Sequence, residues 1–214
     1  MWVKICGWND AAVLQEALTK SRPDAIGLNF FGKSVRAVTL PQARELRICL
    51  PDRVAAVGVF VNHSREEIIE TARQVGLDLI QLHGDESPEF AASLAPLSII
   101  RVYRLKEPNL AAIESDLNVL KSLGVRPWAC LVDAWHEHEY GGTGQTAPWT
   151  ALQSWPADWP PLILAGGLNA SNVVSAIQTV RPFGVDTASG VESAKGRKDP
   201  DLVCEFIQHC RACP

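Results

Sequence analysis

The chain contains no apolar run near the ~18 residues that a membrane-spanning helix requires. It also lacks a surplus of basic residues, since 20 Lys and Arg stand against 24 Asp and Glu for a formal charge of −4. The first absence gives no reason to expect a membrane protein, and the second gives none to expect nucleic acid or an anionic membrane surface as partner. A leader is not expected either, because the first apolar run, VKIC (Val3 to Cys6), begins within three residues of Met1. Six cysteines without secretory features read as free thiols rather than as a disulfide framework, and cytoplasm is the expected compartment.

Metal-ligand spacing is equally scarce. The C-terminal set Cys204, His209, Cys210 and Cys213 offers one C-x2-C pair at a terminus expected to fray. His136 and His138 stand in a glycine-rich loop, with no acidic and histidine set on other strand ends. No resident metal is expected.

What the chain does have is eight continuous apolar runs: VKIC, AIGL (Ala25 to Leu28), AAVGVF (Ala55 to Phe60), DLIQL (Asp78 to Leu82), SIIRV (Ser98 to Val102), ACLV (Ala129 to Val132), PLILA (Pro161 to Ala165) and FGVD (Phe183 to Asp186). Continuous rather than alternating runs suit strands buried on both faces of a parallel sheet. Parallel neighbours cannot be joined by hairpins, so each gap must hold a crossover. Several gaps carry helix-start chemistry. Ser64 and Glu67 form a capping-box pattern before Ile68, Ile69, Ala72 and Val75, Ser87 precedes Pro88, and Asn9 or Asp10 precedes Val13, Leu14, Ala17 and Leu18. The pattern predicts one domain over residues 1–214, a closed eight-stranded parallel β/α (TIM) barrel. An open doubly wound sheet is the alternative, but it carries its phosphate turn early in the chain.

Here the phosphate-type turns come last. LAGGL (Leu164 to Leu168) and VDTASGVE (Val185 to Glu192) each follow an apolar run and precede a helix-like segment. Glycine lets the backbone come close to a ligand, and N–H groups at a helix start present partial positive charge to an anion. These are the last two strand-to-helix positions, where barrels commonly hold phosphate. Three further residues fall at strand ends on the same rim. Cys6 ends the first strand and reads alone as either a core thiol or a reactive one. Asp133 ends the sixth, where partial desolvation favours the neutral form that a general acid needs, although a cap is the plain alternative. Arg36, after the second, offers a planar fork to carboxylate or phosphate, or is simply a surface arginine. Gly141, Gly142 and Gly144 mark a loop after Asp133. The tryptophan-rich segment PWTALQSWPADWPP predicts an irregular sixth helix packed by aromatic surface.

Taken together, these residues carry a resemblance over positions 3 to about 199. VKICG with Asp10 and Ala11, the Ser34-x-Arg36-x-Val38 pattern, GVFVN (Gly58 to Asn62), QLHGDE (Gln81 to Glu86), Asp133 with GGTG, LAGGL with Asn172 and Val173, and SGVE with Gly196, Lys198 and Asp199 are similar to the phosphoribosylanthranilate isomerase family. The resemblance implies a cofactor-free Amadori rearrangement of a small phosphosugar substrate, by a monomer or homodimer. It implies Asp133 as the acid that protonates the ribose ring oxygen, and Cys6 as the base that removes the C2 proton. Arg36 would hold the anthranilate carboxylate, and Gly166, Gly167, Ser189 and Gly190 the phosphate. His83 would line the pocket without an assigned role. For Cys6 to serve as base, nearby positive charge should favour its thiolate, with Lys4 or Arg36 the cations the sequence suggests.

The chain departs from the family pattern where the usual Phe-Asp-Trp reads Ala147, Pro148, Trp149, which removes a carboxylate near the start of the sixth helix, at Asn29 in place of an apolar residue, and at Ala188 in place of serine. Indole-glycerol-phosphate synthase would require a lysine and glutamate set on strand ends, and a pentose-phosphate epimerase would require dispersed metal ligands; neither pattern is visible. A barrel that only binds phosphate ligands would need neither Cys6 nor Asp133.

Overall fold

Each of the eight apolar runs forms a strand: β1 (Trp2–Cys6), β2 (Ala25–Asn29), β3 (Ala55–Phe60), β4 (Leu79–Leu82), β5 (Ile99–Arg104), β6 (Ala129–Asp133), β7 (Leu162–Ala165) and β8 (Gly184–Thr187). The computed structural model describes residues 1–104, 110–133 and 149–213. All strand pairs are parallel, in sequence order, and β8 returns to β1 to close the barrel. Closure excludes the open doubly wound sheet. A small antiparallel pair, β9 (Glu192–Ala194) and β10 (Arg197–Lys198), follows β8 and a single 3-10 turn (Ser189–Val191).

The crossovers hold α1 (Ala11–Lys20), α2 (Leu40–Ile48), α3 (Arg65–Val75), α4 (Pro88–Ser93), α5 (Ala111–Ser122), α6 (Trp149–Leu152) and α7 (Val173–Val180), and α8 (Pro200–Ala212) follows the last strand. Their starts follow local chemistry. Asp10 Oδ1 accepts from the Val13 amide at 3.1 Å, Ser64 and Glu67 close a reciprocal capping box, and Ser87 accepts from Phe90 N with Pro88 in the first turn. Each such cap is worth about 0.5–2 kcal/mol. The described part of α6 is a single turn. Trp155 and Trp159 follow it edge to face, 5.0 Å apart, and the Trp155 indole donates to Pro160 O at 3.0 Å.

The alternation of side chains along a strand divides the core in two. Val3, Ile5, Ile26, Leu28, Phe60, Ile80, Leu82, Val132 and Leu164 face outward and pack with helix residues such as Leu14, Ile68 and Phe206. A second cluster, drawn from strand residues alone, fills the barrel: Ala25, Val57, Leu79, Ile100, Ala129, Leu131, Ile163 and Ala165. Trp2, Trp128 and Phe183 close its N-terminal end, with ring centroids 5.3–6.2 Å apart.

Candidate active site

The inward face of β1 carries Trp2, Lys4 and Cys6 at intervals of two, so a lysine lies directly beneath the thiol. Lys4 is fully buried, and its Nζ donates to Asp186 Oδ1 at 2.9 Å across the β1–β8 register in which these two residues are partners. Burial pushes against the Lys4 ammonium, but Asp186 and Cys6 more than offset it and hold its pKa above the ordinary value. A lysine charge therefore sits inside the barrel, neutralised by one aspartate.

Above this pair, the C-terminal ends of the strands enclose a cavity of about 810 Å³, lined by Cys6, Asp133, Arg36, His83, Gly166, Gly167 and Ser189 among others. Seven of the eight sequence-predicted site residues thus meet on one surface. Gly190, the eighth, does not line it. A Cβ there would stand 1.9 Å from Leu168 O, so Gly190 lets the β8 turn pack onto the β7 turn. Thr187 Oγ1 donates to the same carbonyl at 2.6 Å and locks the two turns together. Gly166 and Gly167 both take left-handed conformations, φ +97° and +64°, which turn the backbone along the cavity wall.

The thiol differs from the expectation of a cation-favoured thiolate. Burial, the largest influence, pushes the Cys6 pKa above its ordinary value of 9.0; Lys4 and Lys198 pull against it, and Asp186 adds to it. Two ammonium groups are present, but desolvation wins and the resting group is a thiol. Once ionised, such a thiolate is a stronger base than an ordinary one. Asp133 ends β6, three strands round the barrel from β1, in register with Arg104 on one side and Ala165 on the other.

Arg36 is not a loose surface side chain. Its Nε and Nη2 donate to the two Glu192 oxygens at 2.6 and 2.7 Å. Glu192 also accepts from Lys198 Nζ at 2.6 Å and from the Gly196 amide at 3.0 Å. Burial opposes this carboxylate, but the hydrogen bonds from Arg36, Lys198 and Gly196 dominate and draw its pKa down to about 2. The loop that carries Arg36 is fastened by Asn29. Its Oδ1 accepts from Phe31 N at 2.8 Å and its Nδ2 donates to Ser34 Oγ at 3.3 Å, which in turn accepts from Arg36 N at 3.1 Å. Asn29 lines the cavity as well, so the departure alters both wall and loop. Ala188 also lines the cavity, and its carbonyl accepts from Lys198 Nζ at 3.0 Å.

His83 is held neutral. Burial first, then the charges of Arg104 and Lys4, lower its pKa from 6.5 to about 4. Gln81 Nε2 lies 3.0 Å from His83 Nδ1.

In the sequence Glu192 and Lys198 stand within the SGVE segment and its continuation without a visible role, and Asp186 marks only the end of a strand. Period-two alternation along VKIC could have paired Lys4 with Cys6. The Lys4–Asp186 contact needed the barrel closed, and the Arg36–Glu192 contact spans 156 residues of sequence. His136, His138, Gly141, Gly142, Gly144, Ala147 and Pro148 lie outside the described residues. Among the described residues, no group of three His, Cys, Asp or Glu side chains is placed to hold a metal ion. His209 Nδ1 instead lies 2.8 Å from Ala170 O, and Cys204 is directed at Lys20 O. No helix among them is long and apolar enough to cross a membrane.

Comparison with known proteins adds to this geometry. The family model for N-(5'phosphoribosyl)anthranilate (PRA) isomerase matches residues 3–209. The chain is 40% identical over 212 residues to the N-(5'-phosphoribosyl)anthranilate isomerase of Thermotoga neapolitana, covering 98% of each protein. It is 42% identical over 212 residues to that of Geobacter sulfurreducens, again covering 98% of each. Among solved structures, the phosphoribosyl anthranilate isomerase of Thermotoga maritima superposes with a TM-score of 0.84 at 36% identity, over 99% of this chain and 98% of the other. A phosphoribosyl anthranilate isomerase in complex with reduced 1-(o-carboxyphenylamino)-1-deoxyribulose 5-phosphate superposes with a TM-score of 0.83 at 33% identity, with the same coverage.

Proposed function

Since the chain belongs to the N-(5'-phosphoribosyl)anthranilate isomerase family and catalyses the Amadori rearrangement of tryptophan biosynthesis, we propose that Cys6 and Asp133 are its base and acid, and that Arg36 and the two glycine turns hold its substrate. The observation that carries this assignment is the shared cavity, which an acid and a thiol at strand ends line together with an arginine and two phosphate-type turns.

The reaction moves protons and no net electrons. Asp133 donates a proton to the ribose ring oxygen, the C1–O bond breaks, and the nitrogen lone pair completes a Schiff base. Cys6, as thiolate, removes the proton from C2; the electron pair forms the C1–C2 double bond of an enolamine, which tautomerises to the ketone of 1-(2-carboxyphenylamino)-1-deoxyribulose 5-phosphate. One group gives a proton and the other takes one, so the site needs no cofactor for this sequence.

Arg36 can serve two carboxylates at once. A guanidinium carries five N–H donors, and Glu192 engages only the edge formed by Nε and Nη2. The end-on pair from Nη1 and Nη2 remains for a substrate carboxylate. The phosphate lies against the backbone of Gly166, Gly167, Ala188 and Ser189, while Gly190 acts behind them by bringing the turns together. His83 presents a neutral imidazole to the sugar. The working protein is a monomer or homodimer of the cytoplasm; one Thermotoga maritima relative is described as dimeric.

The test is turnover of phosphoribosylanthranilate, generated in place and followed by loss of its fluorescence, with Cys6→Ala in parallel. Activity in the wild-type chain and its loss in the variant are expected. A folded wild-type chain that binds the reduced product analogue without turnover would overturn the assignment of acid and base.

A further inference from the structure

Behind Arg36 stands a cluster that touches neither the cavity nor the solvent. Glu192 and Lys198 have side chains only 3% and 1% exposed, and neither lines the cavity. Glu192 grips one edge of the Arg36 fork, while Lys198 donates both to Glu192 Oε1 and to Ala188 O, the carbonyl at the start of the β8 turn. The stem of Arg36 is confined on its other side, where a Cβ on Gly7 would stand 2.5 Å from Arg36 Cδ. One carboxylate and one ammonium therefore connect the carboxylate-binding end of the site to its phosphate-binding end.

We infer that Glu192 and Lys198 are a positioning pair that determines specificity for a substrate carrying a carboxylate at a fixed distance from its phosphate. The inference rests on the assignment of Arg36 above. The charge count supports it. Arg36 and Glu192 alone would cancel, and a neutral pair attracts an anion poorly; Lys198 restores a net positive charge while Glu192 keeps the fork aimed. A bidentate grip also restricts the rotamers of a long side chain, so less freedom is lost when the substrate carboxylate binds.

Charge and aim make opposite predictions for Glu192→Gln. If charge alone mattered, this variant, with one negative charge fewer, would bind a carboxylate more tightly. If aim matters, it binds more weakly. The measurement is the ratio of inhibition constants for two probes, reduced 1-(2-carboxyphenylamino)-1-deoxyribulose 5-phosphate and its counterpart lacking the carboxylate. The wild-type chain should prefer the first by about 10- to 100-fold, the value of a charge-assisted hydrogen-bonded pair. Glu192→Gln should reduce that preference to less than about 3-fold and raise KM with little change in kcat, as expected for loss of uniform binding. Lys198→Met should reduce the preference and also weaken inhibition by the carboxylate-free probe, because it releases Ala188 O.

Near-ultraviolet circular dichroism identifies variants that fail to fold, and Glu192→Asp, which keeps the charge but shortens the reach, then reads the same ratio. A wild-type chain without preference would overturn the assignment of Arg36. A wild-type preference that survives in folded Glu192→Gln or Glu192→Asp would overturn the positioning role alone.

Discussion

The two ends of the barrel interior are built from the same eight strands and the same alternation, yet they are filled by opposite chemistry. Toward the N-terminal end, Ala25, Val57, Leu79, Ala129 and Ile163 pack against one another beneath the Trp2, Trp128 and Phe183 rings. Toward the C-terminal end, the inward positions include Lys4, Cys6, Gln81, His83, Asp133 and Asp186 beside Val59, Leu131 and Ala165. The lower half gains free energy by removing carbon from water. The upper half spends it by burying groups that water would solvate, and those groups persist only because each charge finds a partner. Stability and chemistry are thus assigned to different halves of one continuous core.

The largest effect that should separate the halves is on turnover. Cys6→Ala and Asp133→Asn are each expected to lower kcat about 10²- to 10⁴-fold, the usual range for a lost acid or base, while the unfolding midpoint in urea stays near that of the wild type. Equal losses of activity and stability would show that the upper half is structural as well. The wild-type rate should continue to climb above pH 9.0, the ordinary thiol value, because burial raises that of Cys6. A plateau reached below that pH would contradict the buried-thiol reading.

In the lower half the expectation reverses. Ile163→Ala removes a fully buried side chain and should cost about 2–5 kcal/mol in urea unfolding, with kcat/KM changed by less than about 3-fold, since Ile163 does not line the cavity. A large loss of activity without loss of stability would break the division.

His83 tests the cost of the upper half. Its pKa of about 4 in the folded chain lies below the ordinary 6.5, so the unfolded chain takes up the proton first as pH falls. The stability tied to its neutral form is present above pH 6.5 and is lost between there and pH 4, roughly 3 kcal/mol in all by linkage. Unfolding free energies measured across this window should fall less steeply in His83→Gln; identical slopes would mean that His83 titrates normally. The smallest effect belongs to Arg36→Ala, which should raise KM about 10- to 100-fold with kcat within about 3-fold, because the carboxylate is held equally in ground and transition states. An unchanged KM with a large fall in kcat would move Arg36 into the chemical step.

The strands were legible because a strand buried on both faces is apolar at most positions, and a nearly continuous apolar run is a local signal. The helix starts at Asp10, Ser64 and Ser87 were legible because a cap is satisfied within three residues. Both glycine turns were visible for the same reason, although only the packed structure separates Gly166, Gly167 and Ser189 on the cavity wall from Gly190 behind it.

The sequence by itself determined the eight strand-to-helix units, their order, the family, and the strand ends at which Cys6 and Asp133 stand. Only the tertiary structure decided what surrounds them. It placed Asp186 against Lys4 across 182 residues and Glu192 against Arg36 across 156, and it let burial outweigh two ammonium groups at Cys6. Strand propensity and capping act over a few residues, whereas partners and desolvation are set by which distant segments the closed barrel brings together.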